Sequence, residues 1–174
     1  MRGLLVVPLL LVLIPVSAAE PAPNPQIDYA GFQRNVLEVG ELRRTHRLSE
    51  EEFIRMAAEP GTVVLDARSE RLFRLRHIEG AVNLSFPEFT QQTLAALIPT
   101  RQTRVLIYCN NNFTGLPESM PVKQISVSLN VSTYVSLNAY GYGNVYELGP
   151  LVDAKQTRLR FAGDEVKGAP LSGT

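Results

Sequence analysis

The chain opens on a block of apolar positions and then alternates between helical-period stretches and short apolar runs. Gly3 to Val16 carries no polar side chain. Further on, Phe32, Val36, Val39 and Leu42 recur at the spacing of one helix face, which predicts a helix between Tyr29 and Leu42. A second helix is predicted from Leu48–Phe53 to Ala58. Ser49 can cap its free amides, Glu52 completes a capping box, and Glu50 to Glu52 suit the positive first turn; Pro60-Gly61 ends it. Thr62 to Asp66 is a β-branched run of the kind found in buried parallel strands. Ala81 to Leu84 predicts a weaker strand, and Phe86 to Ile98 a helix with Phe89, Leu94, Leu97 and Ile98 on its apolar face. Arg104 to Cys109 is the clearest strand signal, and Asn144 to Leu148 predicts a last one. From Gly149 onward no firm pattern remains.

One stretch carries two periods. Ile125 to Ser132 alternates apolar and polar residues, a strand signal. Yet the strands ending at Cys109 and Leu148 are expected to lie parallel, and parallel neighbours need a crossover, usually helical. Ile125, Leu129 and Leu137 share a helical stripe, and Ala139-Tyr140-Gly141 reads as a helix end with Gly beyond it. Helix is the reading adopted. The fold class is then α/β, a parallel sheet flanked by helices.

Composition narrows the function. The 174 residues hold 17 Lys+Arg and 17 Asp+Glu, with a zero formal net charge and 45% apolar residues. That describes a folded domain and excludes a disordered chain. The longest basic cluster is Arg43-Arg44 with His46 and Arg47, too short for a nucleic-acid footprint, so no nucleic-acid partner is expected. Met1-Arg2, the apolar run and Ser17-Ala18-Ala19 form the three-part pattern of a secretory signal over residues 1–19. The run is about 14 residues against the roughly 20 of a membrane-spanning helix, so cleavage is preferred to an uncleaved anchor. The expectation is an exported protein, periplasmic or secreted, with no stable membrane anchor. Residues 20–47 read as a leader with Pro21, Pro23 and Pro25 followed by the first helix; 48–149 as the main domain; 150–174 as a C-terminal extension.

Export sharpens the meaning of a single cysteine, Cys109, which can form no internal disulfide. With only His46 and His77 beside it, no metal site and no cofactor are expected. Cys109 is either a small buried hydrophobe or a reactive thiol. Its position favours reactivity, because ligands in an open parallel sheet bind outside the carboxyl ends of strands. The following Asn110, Asn111, Asn112, Phe113, Thr114 and Gly115 suit a tightly curled loop, since Asn tolerates left-handed backbone. Amides turned inward by such a loop would form an anion nest and, with the next helix dipole, hold the thiol pKa below its free value of about 8.5.

Val64-Leu65-Asp66-Ala67-Arg68-Ser69, then Phe73, His77-Ile78 and Gly80 to Leu84, then Val105 to Cys109, resemble the rhodanese-like domain. Asn144 to Leu148 resembles that family's closing strand, and the likeness runs from Leu48 to Gly149. The resemblance implies that Cys109 takes up a sulfane sulfur as a persulfide and passes it on. A small sulfur-containing donor and a thiol or other nucleophilic acceptor would be the partners, and Asp66, Arg68 and His77 would support the fold around the loop. The chain departs from the family close to this chemistry. Thr114 stands where the family often closes its loop with Arg or Lys, and no Lys or Arg follows until Lys123. Arg68 is expected to salt-bridge within the sheet, with supply of the missing cation to the loop as the alternative. The interval to Gly141 is longer than the family's, and Gly115 to Pro121 is expected to form a wall or lid. A related cysteine phosphatase would need Arg where Gly115 stands. The leading function is therefore a sulfurtransferase or sulfur carrier, with an inactive binding module or a redox-sensing thiol protein as alternatives.

Overall fold

The structure, a computed structural model, describes residues 24–167. The predicted signal at 1–19 and the first part of the leader lie outside these residues. In chain order the elements begin with α1 (Tyr29–His46), β1 (Arg47–Leu48), α2 (Glu50–Ala57), β2 (Thr62–Asp66) and α3 (Glu70–Leu75). They continue with β3 (His77–Ile78), β4 (Val82–Asn83), α4 (Gln91–Leu97), β5 (Arg104–Tyr108), β6 (Phe113–Thr114) and α5 (Leu129–Ala139). The chain then adds β7 (Val145–Leu148), β8 (Val152–Asp153), β9 (Phe161–Ala162) and α6 (Asp164–Lys167).

The central sheet runs β1-β7-β5-β2-β4, all neighbours parallel. Successive strand residues face opposite sides, so each strand feeds two cores. Val64, Leu106, Tyr108 and Leu148 pack with Phe53 and Met56 of α2 on one side. Leu65, Val105, Ile107 and Val145 pack with Val39, Leu94, Tyr134 and Leu137 of α1, α4 and α5 on the other. The mixed α/β class and the parallel sheet expected from the sequence are present, and α2 carries its Ser49–Glu52 capping box.

Several local expectations change. The helix adopted for 125–139 is present but starts later, at Leu129, after a 3-10 turn over Ile125–Val127. Ile125 is solvent-exposed, so only Leu129 and Leu137 remain of the expected stripe. Gly141 has φ 86°, and the amides of Gly141 and Tyr142 return to Asn138 and Leu137 to close α5. The single helix expected over Phe86–Ile98 is split. Pro87 sits in a 3-10 turn, Phe86–Glu88, and Thr90 then caps α4 by accepting the amide of Thr93. In α1, Val39 is buried and Leu42 half-buried, whereas Phe32 and Val36 face solvent.

Residues 152–162 pack against the rest of the fold. β8 pairs with β6 and β9 with β3, while Val152 and Leu159 enter the α2-side core. Glu50 accepts Thr157 Oγ1 at 2.5 Å and the amide of Arg158 at 2.7 Å, tying this segment to the start of α2. Among the described residues no helix is long and apolar enough to cross a membrane.

Candidate functional site

Cys109 follows the last residue of β5, at the carboxyl edge of the sheet, and is 2% exposed. The loop beyond it differs from the curled cradle expected. No Asn adopts left-handed backbone among the described residues; Asn110–Asn112 form a 3-10 turn, and the chain then straightens into β6. The first left-handed residue is Gly115, φ 82°, where the chain turns away after β6. Phe113 is buried in the α2-side core and Thr114 is exposed, so neither closes a ring over the sulfur.

The Asn111 amide, from the 3-10 turn, and the Leu129 and Asn130 amides, from the first turn of α5, are the ones that favour a Cys109 thiolate. Burial nevertheless pushes the Cys109 thiol up. The amides of Asn130 and Asn111 oppose that shift, the Glu147 carboxylate adds to it, and the Leu129 amide opposes it. The low pKa expected from a nest is overturned because a sulfur removed from water loses more as an anion than three amides return.

The three asparagines do different work. Asn112 joins β5, β7 and α5: its Oδ1 accepts the Cys109 amide at 2.9 Å and Asn130 Nδ2 at 3.1 Å. Its Nδ2 donates to the carbonyls of Leu148 at 2.8 Å and Pro150 at 3.3 Å. Asn111 exchanges two hydrogen bonds with the backbone of Lys123, fixing the long segment to the turn. Asn110 is buried on the opposite side, beside Arg68 and Phe86.

Asp66, Arg68 and His77 sit away from Sγ. Asp66 takes Arg68 Nε at 2.9 Å, Arg68 Nη2 at 2.5 Å and the Tyr108 hydroxyl at 2.5 Å. Arg68 also donates to the carbonyls of Ser119 at 2.9 Å and Arg76 at 2.7 Å. Burial and the Asp66 carboxylate push the Tyr108 phenol well up, so it stays a neutral donor. Arg68, 2% exposed and fully engaged, is not the missing cation. Its reach to Ser119 also draws the 115–121 segment inward, where Ser119 and Met120 are buried; that segment packs on Arg68 and lines no part of the Cys109 cavity. His77 stacks on Phe73 at 3.8 Å and its Nδ1 bonds the Phe73 carbonyl at 2.7 Å.

A cavity of about 130 Å³ lies over Cys109, lined by Asn111, Asn112, Ser128 and Asn130 and, unforeseen, by Arg43, Arg47 and Glu147. It is open to solvent and mostly polar, which suits a small ion. Arg43 stands in the last turn of α1, and Arg47 opens β1, in register with Glu147 of β7. The sequence signal was there, two arginines four apart, but nothing in it fixed their direction.

The family profile of the rhodanese-like domain matches residues 49–148. No curated protein sequence matches the chain. Among solved structures, the rhodanese-like domain of an Anabaena sp. protein is similar, with 17% identity over 74% of this chain and 87% of that one, TM-score 0.50. An E. coli rhodanese with anions has 19% identity over 59% of this chain and 99% of that one, TM-score 0.40. A thiosulfate sulfurtransferase from Pseudomonas aeruginosa has 24% identity over 68% of this chain and 20% of that one, TM-score 0.46.

Proposed function

We propose a sulfur-carrying role for Cys109, from the premise that this chain belongs to the rhodanese-like family. The observation that carries it is the place of Cys109, which follows the last residue of β5 at the carboxyl edge of the sheet and lines a small polar cavity. After loss of its proton to solvent, Sγ attacks the outer sulfur of a sulfane donor such as thiosulfate. The new Sγ–S bond forms as the donor's S–S bond breaks, and the electron pair departs with sulfite. An acceptor thiolate then attacks the outer sulfur, the Sγ–S bond breaks, and Cys109 leaves as thiolate. A persulfide is more acidic than a thiol, so the amides are matched to the loaded anion, while the resting thiol keeps its proton. Hydrogen bonds to a charged group contribute roughly 1.5–3 kcal/mol each. Asp66, Arg68 and His77 act in this scheme by holding the sheet edge and its loops.

The burial of the thiol is what favours a second reading, a non-catalytic binding module on the same scaffold. The redox-sensing alternative draws no support from a thiol that is 2% exposed. Export through the signal at 1–19 belongs to the proposal, and amino-terminal sequencing of protein recovered from outside the cytoplasm tests it.

Intact mass after incubation with thiosulfate tests the chemistry. The expected result is a gain of one sulfur, removed by cyanide and absent from Cys109→Ser. A thiol that alkylates readily but gains no sulfur from thiosulfate or a low-molecular-weight persulfide overturns the sulfur-carrying reading in favour of the binding module.

A further inference from the structure

We infer that Arg43 and Arg47, which precede the matched domain, form the anion-recognition site of Cys109 and replace the basic residue that its loop lacks. The inference rests on the sulfur-carrying reading for its ligand, a small sulfane donor bearing an oxyanion, but its geometry stands without that reading.

Three observations converge on one cavity. Arg43 and Arg47 line it together with Cys109. Both are held by one carboxylate oxygen: Glu147 Oε1 takes Arg43 Nε at 2.8 Å and Arg43 Nη2 at 2.7 Å, and lies 3.2 Å from Arg47 Nε. Glu147 is 3% exposed in its side chain, while Arg43 is 32% and Arg47 55% exposed. The buried acid therefore anchors two guanidinium groups whose outer edges reach solvent at the cavity mouth. Two positive charges against one negative leave a net positive charge there.

The free valences point the same way. Arg47 spends Nη2 on the Gly149 carbonyl at 3.2 Å, and Nη1 of each arginine makes no protein hydrogen bond among the described residues. Guanidinium forks match planar and tetrahedral oxyanions better than a lysine does.

The placement has a structural cause. Asn35 Nδ2 donates to the Val135 carbonyl at 2.6 Å and Asn35 Oδ1 accepts Asn138 Nδ2 at 2.8 Å, so α1 is docked on α5. That docking carries the last turn of α1 to the carboxyl edge of the sheet, where the chain enters β1 beside β7.

Alkylation of Cys109 by iodoacetate and by the neutral iodoacetamide tests the inference without sulfur transfer. The neutral reagent reports thiolate fraction and access, so the ratio of the two rates isolates attraction of the anion. In the unmodified protein the ratio should fall about five-fold or more between low and high salt, because the guanidinium edges are partly exposed. Arg47→Gln, at the more exposed position, should lower the low-salt ratio by about as much, and Glu147→Gln should raise it. A ratio insensitive both to salt and to Arg47→Gln overturns the inference, as does a thiol closed to both reagents in the folded protein. An intact ratio effect with no persulfide formation would leave the anion site standing and remove the sulfur-carrying reading; the reverse result would remove only the site.

Discussion

Asn112 Oδ1 accepts the backbone amide of Cys109 at 2.9 Å, so the residue that positions the thiol lies within its own loop. The same side chain reaches Asn130, Leu148 and Pro150, and thereby sets the distance between the strand end and the first turn of α5.

Asn112→Ala is expected to leave the Cys109 amide and the Leu148 carbonyl without their Asn112 partner at a largely buried site. Unsatisfied buried groups cost about 1–3 kcal/mol each, so a loss of about 3 kcal/mol in urea unfolding is expected. Asn111→Ala loses only its exchange with the Lys123 backbone and should cost about 1 kcal/mol or less. Equal effects from the two substitutions would contradict the keystone role of Asn112.

The pH dependence follows from the raised Cys109 pKa. Above the free-thiol value of about 8.5 the unfolded chain releases a proton that the folded chain retains. Stability from this group is intact below that pH and is lost as pH rises from it toward the folded value. The iodoacetamide rate should accordingly keep climbing beyond about pH 8.5, and Glu147→Gln should move its midpoint down, because that carboxylate is one cause of the rise. A midpoint at or below that of a free thiol would show that burial does not set the pKa of this sulfur.

Breaking the Asp66–Arg68 pair should be costly. Both side chains are buried, and removing one partner of a buried ion pair typically costs about 3–5 kcal/mol. Arg68→Ala is expected to fall in that range by urea denaturation. Arg68→Lys should recover little, since one ammonium cannot serve Asp66 and the Ser119 and Arg76 carbonyls together.

The segment after Gly149 should behave as core. Leu159→Ala removes a side chain that is 6% exposed, with an expected loss of about 2–4 kcal/mol, whereas Leu151→Ala, 67% exposed, should be nearly neutral. Comparable thermal shifts from both would show that the segment does not pack as described.

Much of this architecture was legible in local residue patterns. Ser49 and Glu52 announced a capped helix, Thr62–Asp66 and Arg104–Tyr108 announced buried parallel strands, and Gly141 announced a helix end. Cys109 at a strand terminus was enough to mark a candidate site. These features depend on neighbours a few residues away, which a sequence displays directly. The short strands β6, β8 and β9 left no such trace, because two-residue strands have no period to detect and form only where a partner edge is waiting. Nor could spacing show that the sulfur's amides come from both Asn111 and α5, that burial would outweigh them, or that Arg43 and Arg47 would turn toward Glu147 while Arg68 turned away. Each of those outcomes is a competition between groups distant in the chain, decided by which of them the packed helices and sheet bring together, and at what distance from water.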